Sequence, residues 1–96
     1  MVSILWMDIR LVFGRNLRRY RLAAGLSQEV VAERMGADRA HVSSMERGKQ
    51  NVTLLTVWQI AQALGRRSAE FLDEDAAKAV ASTKAAKAPR RKRTKS

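Results

Sequence analysis

Glycine punctuation is the strongest constraint on this sequence. Gly25, Gly36, Gly48 and Gly65 each close a run rich in helix-forming residues, and each is soon followed by a short polar side chain: Ser27, Asp38, Thr53 and Ser68. Glycine tolerates the left-handed backbone that ends a helix, and Ser, Thr or Asp accepts the first unpaired N–H groups of the next one. β-branched residues never alternate over a long run, so a strand reading has no support. The chain is expected to be all-α, a compact bundle of five short helices with short loops.

The spacing predicts a first helix over Ile9–Ala24, capped by Asp8, with Phe13, Leu17, Tyr20 and Ala24 on its inner face. A second runs Gln28–Met35 behind the cap Ser27, with Val31, Ala32 and Met35 inward, and a third runs Arg39–Arg47 behind Asp38. The polar connector 49–52 leads to Thr53 and a fourth helix, Leu54–Leu64, whose apolar side comprises Leu54, Val57, Ile60, Ala61 and Leu64. Ser68 caps a short fifth helix through Phe71 and Leu72.

Charge divides the chain differently. Of the net +10, residues 76–96 carry eight basic side chains (Lys78, Lys84, Lys87, Arg90, Arg91, Lys92, Arg93 and Lys95) and no acid. Residues 1–75 hold eleven basic side chains against nine acidic ones, a balance of only +2. After Leu72 the one large apolar residue is Val80, too little to offset the entropy of ordering. Residues 1–7 therefore read as an extension, 8–73 as the folded domain and 74–96 as a disordered basic tail, with transient helix in the Ala-rich part 76–88. A near-neutral body with a polycationic tail favours a polyanion such as nucleic acid.

The composition also narrows chemistry. With no cysteine and one histidine, disulfides and cysteine-ligated zinc are excluded. No catalytic constellation is present, so the reading is not an enzyme and has no cofactor or metal. No stretch has the length of a membrane span, and the expectation is a cytoplasmic, nucleoid-associated protein.

On a wheel of 100° per residue, the third helix turns Val42 and Met45 one way and Ala40, Ser43, Ser44 and Arg47 the other, with Arg39 flanking in the first turn. That small, polar, basic face suits a groove floor: hydroxyls, a methyl, and a guanidinium able to grip a guanine edge. The helix before it opens at Ser27-Gln28, whose free backbone N–H groups can hold a phosphate. Glu46 and Arg21 both point inward from their helices. Two inward charges are tolerable only as partners, so an Arg21–Glu46 ion pair is expected between the first and third helices.

Taken together, Gly25-Leu26-Ser27-Gln28, Val31-Ala32, Gly36, Val42-Ser43, Glu46-Arg47-Gly48 and 60–65 (Ile-Ala-Gln-Ala-Leu-Gly) resemble the Cro/repressor-type (XRE-like) helix-turn-helix family, over roughly Phe13 to Leu72. The runs 38–43 and 50–53 are similar to restriction–modification controller proteins within it. The resemblance implies base contacts by Arg39, Ala40, Ser43 and Ser44. It implies backbone or groove-edge contacts by Ser27, Gln28, His41, Arg47, Lys49, Gln50 and Asn51, and Arg21 and Glu46 match the family's internal ion pair. Three features depart from it: Val52 where many members have Pro, Ala40 where many have a hydrogen-bonding side chain, and the extensions at both ends. Ala40 puts direct readout at its base pair in question.

Leu55 and Trp58 lie off the main apolar stripe of the fourth helix, where they are either rim residues or part of a dimer surface. Tryptophan is enriched at interfaces, which favours the dimer surface. Leu5 and Trp6 read either as an added arm or as an upstream extension ahead of Met7. The function expected is a sequence-specific, double-stranded DNA-binding transcriptional regulator, a homodimer on a near-palindromic operator, repressing or else activating by touching RNA polymerase. The alternative is an antitoxin or anti-activator whose main target is a partner protein. A nucleoid-packaging role is disfavoured by the well-formed third helix.

Overall fold

The computed structural model describes residues 7–78. Within them the chain forms α1 (Ile9–Ala23), α2 (Gln28–Met35), α3 (Arg39–Glu46) and α4 (Leu54–Leu64), followed by a 3-10 helix, Ser68–Leu72, and a helical turn at 74–78. No strand occurs among the described residues. Of the expected extension 1–7 and tail 74–96, residues 1–6 and those beyond 78 lie outside them.

Each helix starts where a polar side chain takes up orphan N–H groups. Asp8 accepts from the Arg10 N–H, Ser27 from Val30, Asp38 from His41 and Thr53 from Thr56. The Asp8 carboxyl is held down at about 2, first by the Arg10 guanidinium and then by the Arg10 backbone N–H. The fifth helix is capped differently from the expectation. Ser68 is its first residue, and the Glu70 carboxylate reaches back to the Arg67 N–H.

Two glycines are required by close approach. Gly14 lies inside α1, where a Cβ would strike the Met45 carbonyl oxygen and come within 2.7 Å of the Glu46 one, so α1 rests directly on the α3 backbone. Gly48, at φ +74°, turns the chain out of α3, and a Cβ there would meet the Leu11 side chain as well as a strained backbone.

Phe71 anchors the core. It is fully buried between Phe13 (centroids 6.1 Å apart) and Tyr20 (5.2 Å, edge-on), with Leu17, Val31, Val42, Met45, Val57, Ile60 and Ala61 around it. Arg66 stacks over the outer face of Tyr20 at 4.0 Å. Asn16, also fully buried, donates from Nδ2 to the carbonyls of Phe71 and Asp73, both at 3.1 Å, which ties α1 to the end of the domain.

Three expectations about the core need correction. Ala24 and Leu54 lie in line with the buried stripes of their helices, yet both are exposed, Leu54 at 83%. Each sits at a helix end that overhangs its neighbours, where angular position no longer guarantees cover. Finally, the packed body does not stop at Asp73: residues 74–78 are helical and Ala77 is fully buried.

Candidate nucleic-acid interface

The N-termini of α2 and α3 meet on one side of the molecule. Arg39, in the first turn of α3, donates from Nη1 to Gln28 Oε1 at 2.9 Å. Gln28 in turn donates from Nε2 to Glu46 Oε1 at 3.0 Å. Glu46 is gripped by Arg21 in bidentate fashion, Nε to Oε2 at 2.5 Å and Nη2 to Oε1 at 3.0 Å, and Arg21 Nη1 donates to the Leu26 carbonyl at 2.9 Å. The result is a chain of bonds running from a buried ion pair, through an amide, to an exposed guanidinium. Paired fork geometry fixes direction as well as strength, so Gln28 and Arg39 are held against a rigid base.

Along α3 the outer edge is formed by Arg39, Ala40, Ser43 and Arg47. Arg39, Ala40 and Arg47 are exposed, Ser43 is half-buried, and Arg47 Nη1 donates to Ser43 Oγ at 3.0 Å. Ser44 stands apart from this edge. Its hydroxyl accepts from Gln50 Nε2 at 3.0 Å and so faces the α3–α4 connector. His41 is half-buried, while Lys49 and Asn51 are exposed on the connector. Ser27 is exposed and occupied as the α2 cap, and the first N–H groups of α2 have no partner within the helix. Such an end attracts an anion through both hydrogen bonding and the helix dipole.

On α4, Leu55 (61% exposed) and Trp58 (52%) are joined by Leu54 into one exposed apolar arc. Leu54 was assigned to the core from the sequence. What separates it from Ala61, at nearly the same angle, is that it lies in the first turn, next to the exposed connector. Beside this arc Arg34 donates from Nη1 to the Ala63 carbonyl at 2.8 Å, closing the C-terminal end of α4. Sequence reasoning did not single out Arg34. Its place in the last turn of α2 was the available signal.

Among the described residues no helix is long and apolar enough to cross a membrane, and no group of His, Cys, Asp and Glu is arranged to hold a metal ion. The profile of the HTH_3 family, described as helix-turn-helix, matches residues 17–72. An uncharacterized HTH-type transcriptional regulator, y4dJ, of Sinorhizobium fredii is 42% identical over 69% of this chain and 86% of its own length. Control protein C.SmaI of Serratia marcescens is 44% identical over 65% of this chain and 74% of its own. Among solved structures, the restriction-modification controller protein C.AhdI of Aeromonas hydrophila superposes with a TM-score of 0.62 at 42% identity, covering 65% of this chain and 90% of that one.

Proposed function

The chain belongs to the HTH_3 helix-turn-helix family, and from that membership we propose that it is a transcriptional regulator that reads double-stranded DNA with α3 in the major groove. The observation that carries this reading is the outer Arg39–Ala40–Ser43 edge backed by the Gln28–Glu46–Arg21 bonds. A guanidinium steadied in this way is suited to the O6 and N7 of guanine, and the Ala40 methyl offers only an apolar contact, such as the thymine methyl. Arg47 and Ser43 extend the edge. Ser44 acts through Gln50 rather than alone. The α2 N-terminus with Ser27 and Gln28, and His41, Lys49, Gln50 and Asn51 around α3, supply contacts to the sugar–phosphate chain. Those contacts position the protein without reading sequence.

The protein works as a homodimer joined through the Leu54, Leu55 and Trp58 arc, each of whose side chains is more than half exposed. Two copies related by a two-fold axis bind a near-palindrome whose half-sites lie about one helical turn, ~34 Å, apart. The basic C-terminal segment adds sequence-independent attraction to phosphates. The role is regulatory rather than enzymatic, and the corresponding site of action is the cytoplasm, on the nucleoid.

The test begins with selection of a bound site from random DNA, then compares Arg39→Ala with the parent by fluorescence anisotropy. The variant is expected to lose roughly 1–3 kcal/mol on the selected site and far less on random duplex. Equal losses on both would remove α3 as the reader.

A further inference from the structure

A second groove lies between α1 and the C-terminal end of α3, adjoining the α3 edge at Arg47. It has a volume of about 510 Å³ and is lined by Leu11, Arg15, Arg18, Arg19 and Leu22 of α1 with Glu46 and Arg47 at the end of α3. The five α1 residues recur at i, i+4, i+7, i+8 and i+11, so they form one stripe, roughly 16 Å long. Leu22 is 53% exposed and Leu11 36%, large apolar groups left facing solvent. Arg15 Nε is buried without a hydrogen-bond partner among the described residues. Glu46, the only acid among the described residues of the lining, is already committed to Arg21 and Gln28, so four guanidinium groups rim the groove without a further described carboxylate to balance them.

We propose that this groove docks an acidic amphipathic helix of a partner protein, whose apolar side covers Leu11 and Leu22 and whose carboxylates meet Arg15, Arg18, Arg19 and Arg47. Charge complementarity and the helical period of the stripe select this occupant. A DNA backbone has no apolar surface to bury two leucines a stripe apart. A second copy of this chain would bring the same arginines face to face. The inference goes beyond DNA reading and does not depend on it.

The probe is a fluorescein-labelled peptide of Ala, Leu and Glu, with leucines at i, i+4, i+7 and i+11 and glutamates flanking them, titrated with the full chain at ~150 mM salt to suppress long-range attraction. A scrambled peptide of the same composition, lacking the apolar face, controls for charge alone. Saturable binding is expected for the first peptide, weakened at least tenfold by scrambling, by Arg18→Glu and by Leu22→Gln, and unaffected by Arg39→Ala. Arg18 and Leu22 are both exposed, so the two variants are expected to melt with the parent. Absence of saturable binding, or equal binding of the scrambled peptide, overturns the proposal. So does displacement of the peptide by random duplex together with loss of DNA affinity in Arg18→Glu, which would make the groove a phosphate track. A shift in sedimenting mass caused by Leu22→Gln would assign it to self-association and overturn the proposal equally.

Discussion

Replacing Glu46 by Ala should destabilise the domain by about 3 kcal/mol. Removing one partner of a buried ion pair costs roughly 3–5 kcal/mol, because the other charge stays buried without compensation. The side chains of Arg21 and Glu46 are only 9% and 4% exposed, so both are largely shut off from water in the folded state. Of the bonds Arg21 makes, the one from Nη1 to the Leu26 carbonyl survives the substitution, and its exposed sliver can reach water. Those two facts place the loss at the lower end of the range. For a domain this small the urea slope lies near 1–1.5 kcal/mol per M, so the unfolding midpoint should fall by roughly 2–3 M. Glu46→Gln, which keeps the shape and loses the charge, should fall between. The double substitution Arg21→Met with Glu46→Leu should recover much of the loss, since an apolar pair of similar volume needs no desolvation of charge. Urea unfolding followed by circular dichroism decides the matter. If Glu46→Ala unfolds at the parent midpoint, or the double variant is no better than the single one, the pair does not carry the energy assigned to it.

Three other outcomes are expected. Gly14→Ala should lower the melting temperature by at least about 5 °C, because the added methyl meets α3 backbone rather than a movable side chain, and that overpacking outweighs the gain in helix propensity; an unchanged or higher melting temperature would show that α1 can lift away. Trp58→Ala should weaken self-association at least tenfold in sedimentation equilibrium with little change in helicity, since the ring is half exposed; an unchanged association constant would remove the α4 arc as the dimer surface. Asp8 has its folded-state titration depressed to about 2 against 3.8, so its contribution to the start of α1 is present above the ordinary carboxylate range and is lost as pH falls through about 2. An NMR titration placing the Asp8 carboxyl midpoint near its ordinary value would show that Arg10 does not hold it in solution.

Much of the fold was legible because local rules agree with one another here. Asp8, Ser27, Asp38 and Thr53 cap the four α-helices, and the glycine after each helix sits at positive φ. The helical wheel located Val42 and Met45 in the core, and it turned Arg21 and Glu46 toward each other; the two are bonded in the structure. Period says nothing about where neighbouring helices stop, which is why Leu54 and Ala24 were misplaced. Nor does it reveal long-range polar ties: Asn16 looks like an ordinary surface residue until its carbonyl partners, more than fifty residues away, are known. At the candidate interface the wheel located Arg39, Ala40, Ser43 and Arg47 on the outer edge of α3 but not the turn of Ser44 toward Gln50. The Gln28 bridge between Arg39 and Glu46 could not be read off it, because it depends on how α2 and α3 are set against each other.

The Asn16 tie also bears on when the protein becomes competent during synthesis. α2 and α3 adjoin in sequence and can meet early, since closing a short loop is fast and loses little entropy. α1 leaves the ribosome first, yet its buried amide has no partners until Phe71 and Asp73 follow. A nascent chain halted before that point carries the reading helix on an unlatched scaffold, with the Phe13 and Tyr20 rings waiting for Phe71. Completion of the domain, rather than emergence of α3, therefore sets the moment at which a newly made chain can grip its target. Fragments ending upstream of the latch should be cleared by proteases instead of competing with the finished protein.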